Sequence, residues 1–174
     1  LPEFARGLAE RGVELLSTGG TAQMLREAGL TVRDVAEVTG FPEMMDGRLK
    51  TLHPKIFGGI LARLDTPDDH SALVDHEIVP FGLVVVNLYP FAETVSRPDT
   101  TWAQGIEKID IGGPSLVRAA AKNHAFVSVA TSPKQYAEIL EAIQRHGKTT
   151  VDLRRRLAAA AFAHTAHYDR AIAD

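Results

Sequence analysis

The feature that most constrains the fold is the run Leu-Val-Val-Val-Asn-Leu at residues 83–88. It is apolar without alternation, which predicts a strand buried on both faces, as in the centre of a parallel sheet. Short extended segments are predicted at residues 13–16, 30–34 and 125–130. Apolar spacing with Gly and Pro punctuation predicts helices at residues 1–11, 22–28, 102–109, 114–121, 133–144 and 151–172. This alternation of strands and helices predicts one α/β domain, while residues 38–69 read as functional or partly helical.

The composition of the 174-residue chain excludes several classes of protein. Nineteen Lys and Arg against 22 Asp and Glu give a net charge of −3, so no basic excess favours nucleic acid. The absence of cysteine excludes a disulfide scaffold, a thiolate zinc site, an iron–sulfur cluster and a cysteine nucleophile. The longest apolar run, residues 81–89, is far shorter than the ~20 residues of a membrane span, and no signal peptide is predicted. We therefore expect a cytoplasmic protein without a membrane or nucleic-acid partner.

A segment of small residues joins the first predicted strand to the next predicted helix. Free N–H groups at a helix N-terminus, with nearby hydroxyls, are suited to a phosphate. The alternative is a tight turn with a threonine cap, because the segment matches neither the P-loop nor the dinucleotide fingerprint. The residues concerned are Ser17, Thr18, Gly19, Gly20 and Thr21.

Two further segments carry candidate groups. Arg48 and Lys50 lie two residues apart, so in an extended loop they point the same way, which suits a phosphate or a developing oxyanion. The alternative is an ordinary solvated basic loop. Tyr89 follows the buried strand at its carboxyl end, where open α/β sheets bind ligands, with a buried structural tyrosine as the alternative.

Asp110 precedes two glycines at the start of a predicted helix, whose amides form a cradle for an anion or a carbonyl. This position makes Asp110 a candidate base. Lys122 lies twelve residues later at the far end of that helix, so spacing alone does not bring it to Asp110, and a helix C-terminal cation is the alternative. His53 and His124 are predicted to be structural, and no metal site is predicted.

Six segments taken together resemble the IMP cyclohydrolase domain of the bifunctional purine-biosynthesis family, AICAR transformylase/IMP cyclohydrolase. They follow the order and spacing of that family over nearly the whole chain. The segments are STGGTA at 17–22, GFPEM at 40–44, GRLKTLHP at 47–54, NLYPF at 87–91, IDIGG at 109–113 and RAAAKNH at 118–124. The resemblance implies a methylglyoxal-synthase-like fold, a three-layer α/β/α arrangement with a five-stranded parallel sheet, and a homodimer.

The activity that the resemblance implies is a hydrolase-class cyclisation: 5-formamidoimidazole-4-carboxamide ribotide (FAICAR) closes to IMP with loss of water, the last step of de novo purine biosynthesis. The resemblance implies no cofactor and no metal. By resemblance, Thr18, Gly19, Gly20 and Thr21 hold the ribotide phosphate, and Arg48, Lys50 and Thr51 contact the nucleotide. Also by resemblance, Lys50, Tyr89, Asp110 and Lys122 match catalytic positions, and the Ile111 and Gly112 amides hold the carboxamide oxygen.

The chain departs from the family pattern at both ends. In family members the first element of the sequence is a strand that lies in the middle of the sheet. Without this strand, the strands predicted at residues 13–16 and 83–88 have no common neighbour, and two rows of backbone groups stay unpaired. We therefore expect that the natural start is missing, which a complete five-stranded sheet within the chain would refute. The family's transformylase domain is expected after Asp174 in the full-length protein, so formyl transfer is not assigned to this chain.

Two other functions on the same fold stay open. A non-catalytic regulatory module that binds phosphates or nucleotides needs the glycine cradle but not Lys50, Tyr89, Asp110 and Lys122 together. A methylglyoxal-synthase-like lyase needs a carboxylate base over a triose phosphate. A purine ribotide that raises the melting temperature supports the cyclohydrolase, and triose phosphate analogues that do so support the lyase.

Overall fold

A computed structural model of the chain describes residues 1–88, 91–96 and 99–174, with the side chains of Ala92 and Thr94 left out. Its strands are β1 Leu16–Ser17, β2 Arg33–Asp34, β3 Leu83–Val85 and β4 Ser128–Ala130. Its α-helices are α1 Pro2–Ala9, α2 Gly19–Glu27, α3 Val35–Thr39, α4 Pro54–Leu61, α5 Pro67–Asp75, α6 Phe91–Val95, α7 Trp102–Glu107, α8 Gly112–Lys122, α9 Tyr136–His146 and α10 Val151–Ala173. A 3-10 turn, Pro133–Gln135, leads into α9.

The strands form two separate parallel pairs. In the first pair, Leu16 of β1 lies opposite Arg33 of β2, and in the second, Val84 of β3 lies opposite Val129 of β4. The described part of the chain therefore contains no complete five-stranded sheet. The expectation of parallel strands is confirmed. A complete five-stranded sheet, which would have refuted the missing first strand, is not formed by the described residues.

A groove of about 760 Å³ separates the two strand pairs. Leu16 and Ser17 of β1 line one side, and Leu83 and Val85 of β3 line the other. Among the described residues β1 pairs only with β2, and β3 only with β4. The groove is thus bordered by two strand edges that lack strand partners within this part of the chain.

The helices pack on the strands in two groups, giving the three-layer α/β/α fold that was predicted. Helix α8 contacts both α4 and α10, and α8 and α10 also contact β4. Val117 of α8 and Ala161 of α10 are fully buried at this interface, and burying a valine side chain contributes ~1.5–3 kcal/mol. The second group is α1 with α9, where the Phe4 and Tyr136 rings stack with centroids 4.4 Å apart.

The element boundaries differ from the predicted ones in ways that matter for the site. Helix α2 begins at Gly19 rather than at Ala22, so the two glycines and Thr21 form its first turn. The strand predicted at residues 83–88 pairs only over Leu83–Val85, with one further hydrogen bond from Val86 N–H to Ala130 O at 2.9 Å. Residues 38–69 are partly helical, as expected.

Helix α10 is 23 residues long but charged, with three consecutive arginines at residues 154–156. Across the described ranges, no helix combines the length and the apolar character needed to cross a bilayer.

Candidate active site

The first turn of α2 is open to solvent and faces the basic segment that follows residue 47. Thr18 precedes the helix in an extended conformation and gives it no side-chain cap. Gly19 has a φ of +57°, which glycine adopts without strain, and no atom lies within 4 Å of a Cβ position at Gly20. The first N–H groups of a helix lack internal acceptors and carry the positive end of its dipole. The structure therefore brings Thr18, Gly19, Gly20 and Thr21 together in a turn suited to an anion.

A tight turn at residues 44–49 sets the direction of the basic segment. Met44 and Leu49 pair in antiparallel fashion, with N–H to O distances of 3.0 and 3.3 Å. Met45 and Asp46 have φ values of +55° and +54°. Residues with side chains rarely adopt this conformation, which costs ~1–3 kcal/mol each and concentrates at functional sites.

Lys50 and Thr51 reach the N-termini of two different helices. Lys50 Nζ lies 3.9 Å from the position that a Cβ at Gly19 would take, at the start of α2. Thr51 Oγ1 lies 3.0 Å from the position that a Cβ at Gly112 would take, at the start of α8. These two neighbours in the bend at residues 50–51 therefore contact different helices. The two helix N-termini thereby become parts of one site.

Asp110 lies over the N-terminus of α8. Its Oδ1 accepts a hydrogen bond from Gly113 N–H at 2.9 Å. The same oxygen lies 4.0 Å from the position that a Cβ at Gly112 would take, and Thr51 Oγ1 lies 3.0 Å from that position. A Cβ at Gly113 would overlap Asp110 Oδ2 and lie 2.9 Å from Leu88 Cδ2. Glycine at this position is therefore required by the carboxylate. Ile111, the residue before the helix, gives it no side-chain cap. The Ile111 and Gly112 amides thus belong to the same end of α8 at which Asp110 accepts from Gly113 N–H.

Tyr168 of α10 holds the main chain of Asp110. Asp110 N–H donates to the Tyr168 hydroxyl oxygen at 2.8 Å, and Tyr168 is 5% exposed. Burial raises the pKa of Tyr168, against a smaller lowering by the Asp110 N–H bond. The phenol is therefore neutral at physiological pH and can accept this hydrogen bond.

Arg48 is paired with a carboxylate of α7. Its Nε and Nη2 donate to Glu107 Oε1 and Oε2 at 3.1 and 2.7 Å. These hydrogen bonds, together with the positive charge of Arg48, lower the pKa of Glu107. The same bonds and the negative charge of Glu107 raise the pKa of Arg48. Two of the Arg48 donors are thus engaged, and the rest of the guanidinium is left for a ligand.

A second carboxylate borders the α2 turn. Glu43 Oε2 accepts from Thr18 Oγ1 at 3.4 Å, and Glu43 Oε1 lies 2.7 Å from a Cβ position at Gly47. Lys50 Nζ approaches the same Gly47 position at 3.6 Å. A carboxylate therefore lies at the edge of the predicted phosphate site.

Lys122 is not brought to Asp110. It is the last residue of α8, and ten residues at ~1.5 Å each place it ~15 Å along the helix from Gly112. Its neighbour Asn123 is buried and donates to Ile60 O at 2.7 Å and to Ala62 O at 2.9 Å, closing the end of α4. This end of α8 has a structural role, and the catalytic assignment of Lys122 stays a prediction.

Two of the remaining predicted residues are structural histidines, and the third lies outside the described part of the chain. His53 is structural, as predicted: its Nδ1 accepts from Lys55 N–H at 3.1 Å at the start of α4. His124 is structural too, with its Nδ1 3.0 Å from Ala121 O. Tyr89 lies outside the described residues, and its assignment also stays a prediction.

Three residues of the site were missed by the sequence analysis. Glu43 and Glu107 are common surface residues in sequence, and only the folded path of residues 44–50 shows their contacts. Tyr168 did carry a signal, because it continues the buried helical spacing of Ala161 and Thr165, and a buried tyrosine hydroxyl usually has a partner. Over the described residues, no group of three His, Asp or Glu side chains is arranged to hold a metal.

This fold and the paired helix N-termini define a class, and the chain belongs to the MGS-like domain family, whose pattern matches residues 1–115. Residues 120–174 match the AICARFT/IMPCHase bienzyme family. The chain is 63% identical to the bifunctional purine biosynthesis protein PurH of Rhodopirellula baltica over 174 residues, which are 100% of this chain and 33% of that protein. It is 55% identical to PurH of Streptococcus mutans, over 99% of this chain and 33% of that protein.

A solved structure supports the fold independently. The crystal structure of ForH superposes with a TM-score of 0.88 at 34% identity, covering 99% of this chain and 88% of that one. The resemblance noted from the six segments is thereby confirmed, as is the fold class. The chain spans about a third of the length of the PurH proteins it matches.

Proposed function

We propose that this chain is an IMP cyclohydrolase that closes FAICAR to IMP with loss of water. One observation carries the proposal: Lys50 and Thr51, adjacent in sequence, reach the N-termini of α2 and α8, and Asp110 lies over the second of these. One end of the site is suited to a phosphate and the other holds a carboxylate beside backbone donors. A ribotide with a phosphate at one end and a reacting carboxamide at the other has matching chemistry.

The phosphate is assigned to the first turn of α2. The amides of Gly19, Gly20 and Thr21 supply donors. The Thr18 hydroxyl, which donates to Glu43 Oε2 at 3.4 Å without the ligand, is assigned to turn toward the phosphate. Binding the phosphate fixes the ring relative to Asp110, and such positioning contributes up to ~7–11 kcal/mol in favourable cases. The remaining Arg48 donors and the Thr51 hydroxyl are assigned to the rest of the nucleotide.

Asp110 is assigned as the base of the ring closure. A carboxamide nitrogen is a weak nucleophile, so removal of its proton by Asp110 assists formation of the new bond to the formyl carbon. The Ile111 and Gly112 amides hold the carboxamide oxygen as charge develops on it. The formyl oxygen takes up two protons in all, equal in number to the one lost by the carboxamide nitrogen and the one lost by the formamido nitrogen. Its bond to carbon breaks as the ring C=N bond forms, and it leaves as water, which balances FAICAR against IMP and water.

Lys50 is assigned as the cation that faces the formyl oxygen. Of the two candidate lysines, it lies at the site, while Lys122 lies at the opposite end of α8. A mobile ammonium suits both charge stabilisation and proton donation. Tyr89 is retained as a predicted donor on the resemblance alone.

The wider context follows from the resemblance. We propose that the functional protein is a cytoplasmic homodimer in which a transformylase domain accompanies this one. We further propose a five-stranded sheet in which an extended segment occupies the groove between β1 and β3 and pairs with both. The support for this strand is the pair of facing edges, because buried backbone groups require partners.

The test is conversion of FAICAR to IMP, followed by absorbance, for the chain and for Asp110→Asn. The amide keeps the shape and the oxygen that accepts from Gly113 but cannot take a proton. We expect kcat to fall by ~10²–10⁴-fold with IMP affinity retained. Asp75→Asn, an exposed carboxylate at the end of α5, is the matched control and should leave kcat unchanged.

Other outcomes favour the two alternatives. Binding of IMP without turnover by the unaltered chain would indicate the expected fold with a site that lacks its opening strand. Neither turnover nor binding of IMP would contradict the enzyme and favour the regulatory module. Stabilisation by triose phosphate analogues, but not by a purine ribotide, would favour the lyase.

A further inference from the structure

The Tyr168 hydroxyl is the contact that fixes the main chain of Asp110 to the body of the protein. The two residues are 58 positions apart, and Asp110 N–H donates to the hydroxyl oxygen at 2.8 Å. Asp110 belongs to the short connection between α7 and α8. Its other hydrogen bond, from Gly113 N–H, is local and moves with the same turn.

Tyr168 is itself held rigidly. It lies on α10, which packs along α8 and β4, and one turn earlier Thr165 is fully buried. The Tyr168 ring meets the edge of Phe91, with centroids 6.3 Å apart and planes at 70°. A hydroxyl held in this way fixes the position of the Asp110 backbone relative to the core and therefore relative to the two helix N-termini.

We propose that Tyr168 is a positioning residue for the Asp110 carboxylate in ring closure. This role rests on the proposed function. Without the hydroxyl, Asp110 N–H loses its acceptor, and of the hydrogen bonds of Asp110 to the described residues the local one from Gly113 N–H is left, so the carboxylate departs from the reacting nitrogen. Displacement of a reacting group by ~1 Å can cost 10²-fold in rate, whereas phosphate binding at α2 does not depend on this turn.

The test is Tyr168→Phe, which keeps the ring and its contact with Phe91 and removes only the hydroxyl. The matched control is Tyr136→Phe. Tyr136 is the other buried tyrosine of the described residues, and its hydroxyl accepts from Asn87 Nδ2 at 2.8 Å rather than from the Asp110 main chain. Both variants lose one buried hydrogen bond, so a general loss of stability affects them alike.

The expected result separates kcat from KM. Tyr168→Phe should lower kcat by ~10-fold or more, with KM for FAICAR within ~2-fold, because a positioning group acts on the reacting end. Its Asp110 amide should also exchange with solvent faster and shift in the ¹⁵N spectrum. Tyr136→Phe should change neither kcat nor the Asp110 amide.

Three results would overturn this role, each in a distinguishable way. Equal kcat for Tyr168→Phe and the unaltered chain removes the role and leaves the proposed function standing. Equal losses of kcat in both tyrosine variants mark the effect as general destabilisation. Absence of both turnover and IMP binding in the unaltered chain overturns the proposed function itself, and the role with it.

Discussion

Arg48 and Glu107 are joined by two nearly parallel hydrogen bonds, of 3.1 and 2.7 Å, across 59 residues of sequence. Glu107 lies three residues before Asp110, and Arg48 lies two residues before Lys50. The pair therefore ties the basic turn to the segment that carries the proposed base. Both side chains are more than half exposed, so the pair contributes little to folding.

Glu107→Gln should weaken ligand binding with little effect on stability. A glutamine offers one acceptor where the carboxylate offers two, so Arg48 loses its fixed orientation toward the nucleotide. We expect KM for FAICAR to rise ~3–10-fold and the free energy of unfolding to change little. The control is Asp69→Asn, which breaks a similar pair with Arg63 next to α5. An equal rise of KM in both variants would contradict a specific role for Glu107.

The Arg48–Glu107 pair should persist into mildly acidic solution. The pKa of Glu107 in the folded protein lies below its ordinary value of 4.5, because Arg48 stabilises the carboxylate. The pair's contribution is therefore complete above about pH 4.5 and is lost as the pH falls through the lowered folded pKa. Titration of the Glu107 carboxyl by ¹³C NMR measures this directly.

One variant and one reference carboxylate serve as controls for that titration. Arg48→Gln should return the pKa of Glu107 toward 4.5. Asp69, which accepts from both the side chain and the backbone of Arg63, has its pKa lowered to about 2 and serves as the internal reference. A Glu107 pKa that does not respond to Arg48→Gln would show that the pair does not form in solution.

Gly113→Ala should inactivate the site although alanine is the better helix former. The added methyl would occupy the place of Asp110 Oδ2 and press on Leu88, so the carboxylate must move. We expect kcat to fall by ~10²-fold or more. Gly20→Ala, in the first turn of α2 with open space around it, should instead stabilise the fold by ~0.5–1 kcal/mol. Full activity in Gly113→Ala would show that Asp110 is not held as described.

Lys50 and Lys122 should respond differently to replacement by methionine, which keeps the length of the stem. Lys50→Met removes the cation at the start of α2, so we expect KM to rise and kcat to fall, together costing ~10²-fold or more in kcat/KM. Lys122→Met acts ~15 Å along α8 and should cost less. Steady-state kinetics of both variants test which lysine acts in catalysis. A larger loss of kcat/KM in Lys122→Met than in Lys50→Met would assign the catalytic cation to Lys122 instead.

The sequence predicts the class of fold well because burial leaves a strong pattern. The apolar run at residues 83–88 indicates a doubly buried strand, although hydropathy does not show that pairing ends near Val86. The start of α2 at Gly19 is hidden because glycine is a poor helix former. Partial helicity was expected for residues 38–69, but the position of the helix after His53 was not predicted, although Pro54 in its first turn is a typical start signal.

The site was predictable only as separate segments. Lys50 beside Gly19, Thr51 beside Gly112 and Arg48 on Glu107 depend on the path of the turn at residues 44–49, where two residues with side chains have positive φ. No local propensity reports which distant helix such a turn will meet. The bond from Asp110 to Tyr168 likewise depends on the packing of α10.

The groove between β1 and β3 makes this chain a natural acceptor for fragment complementation. An ordinary sheet edge offers an added peptide one row of backbone partners, whereas this groove offers a row on each side and an apolar floor from α1. A short extended peptide of matching pattern would gain both rows in a single step. With the proposed ring closure as the readout, such a peptide and this chain form the two halves of a reporter whose signal measures their assembly.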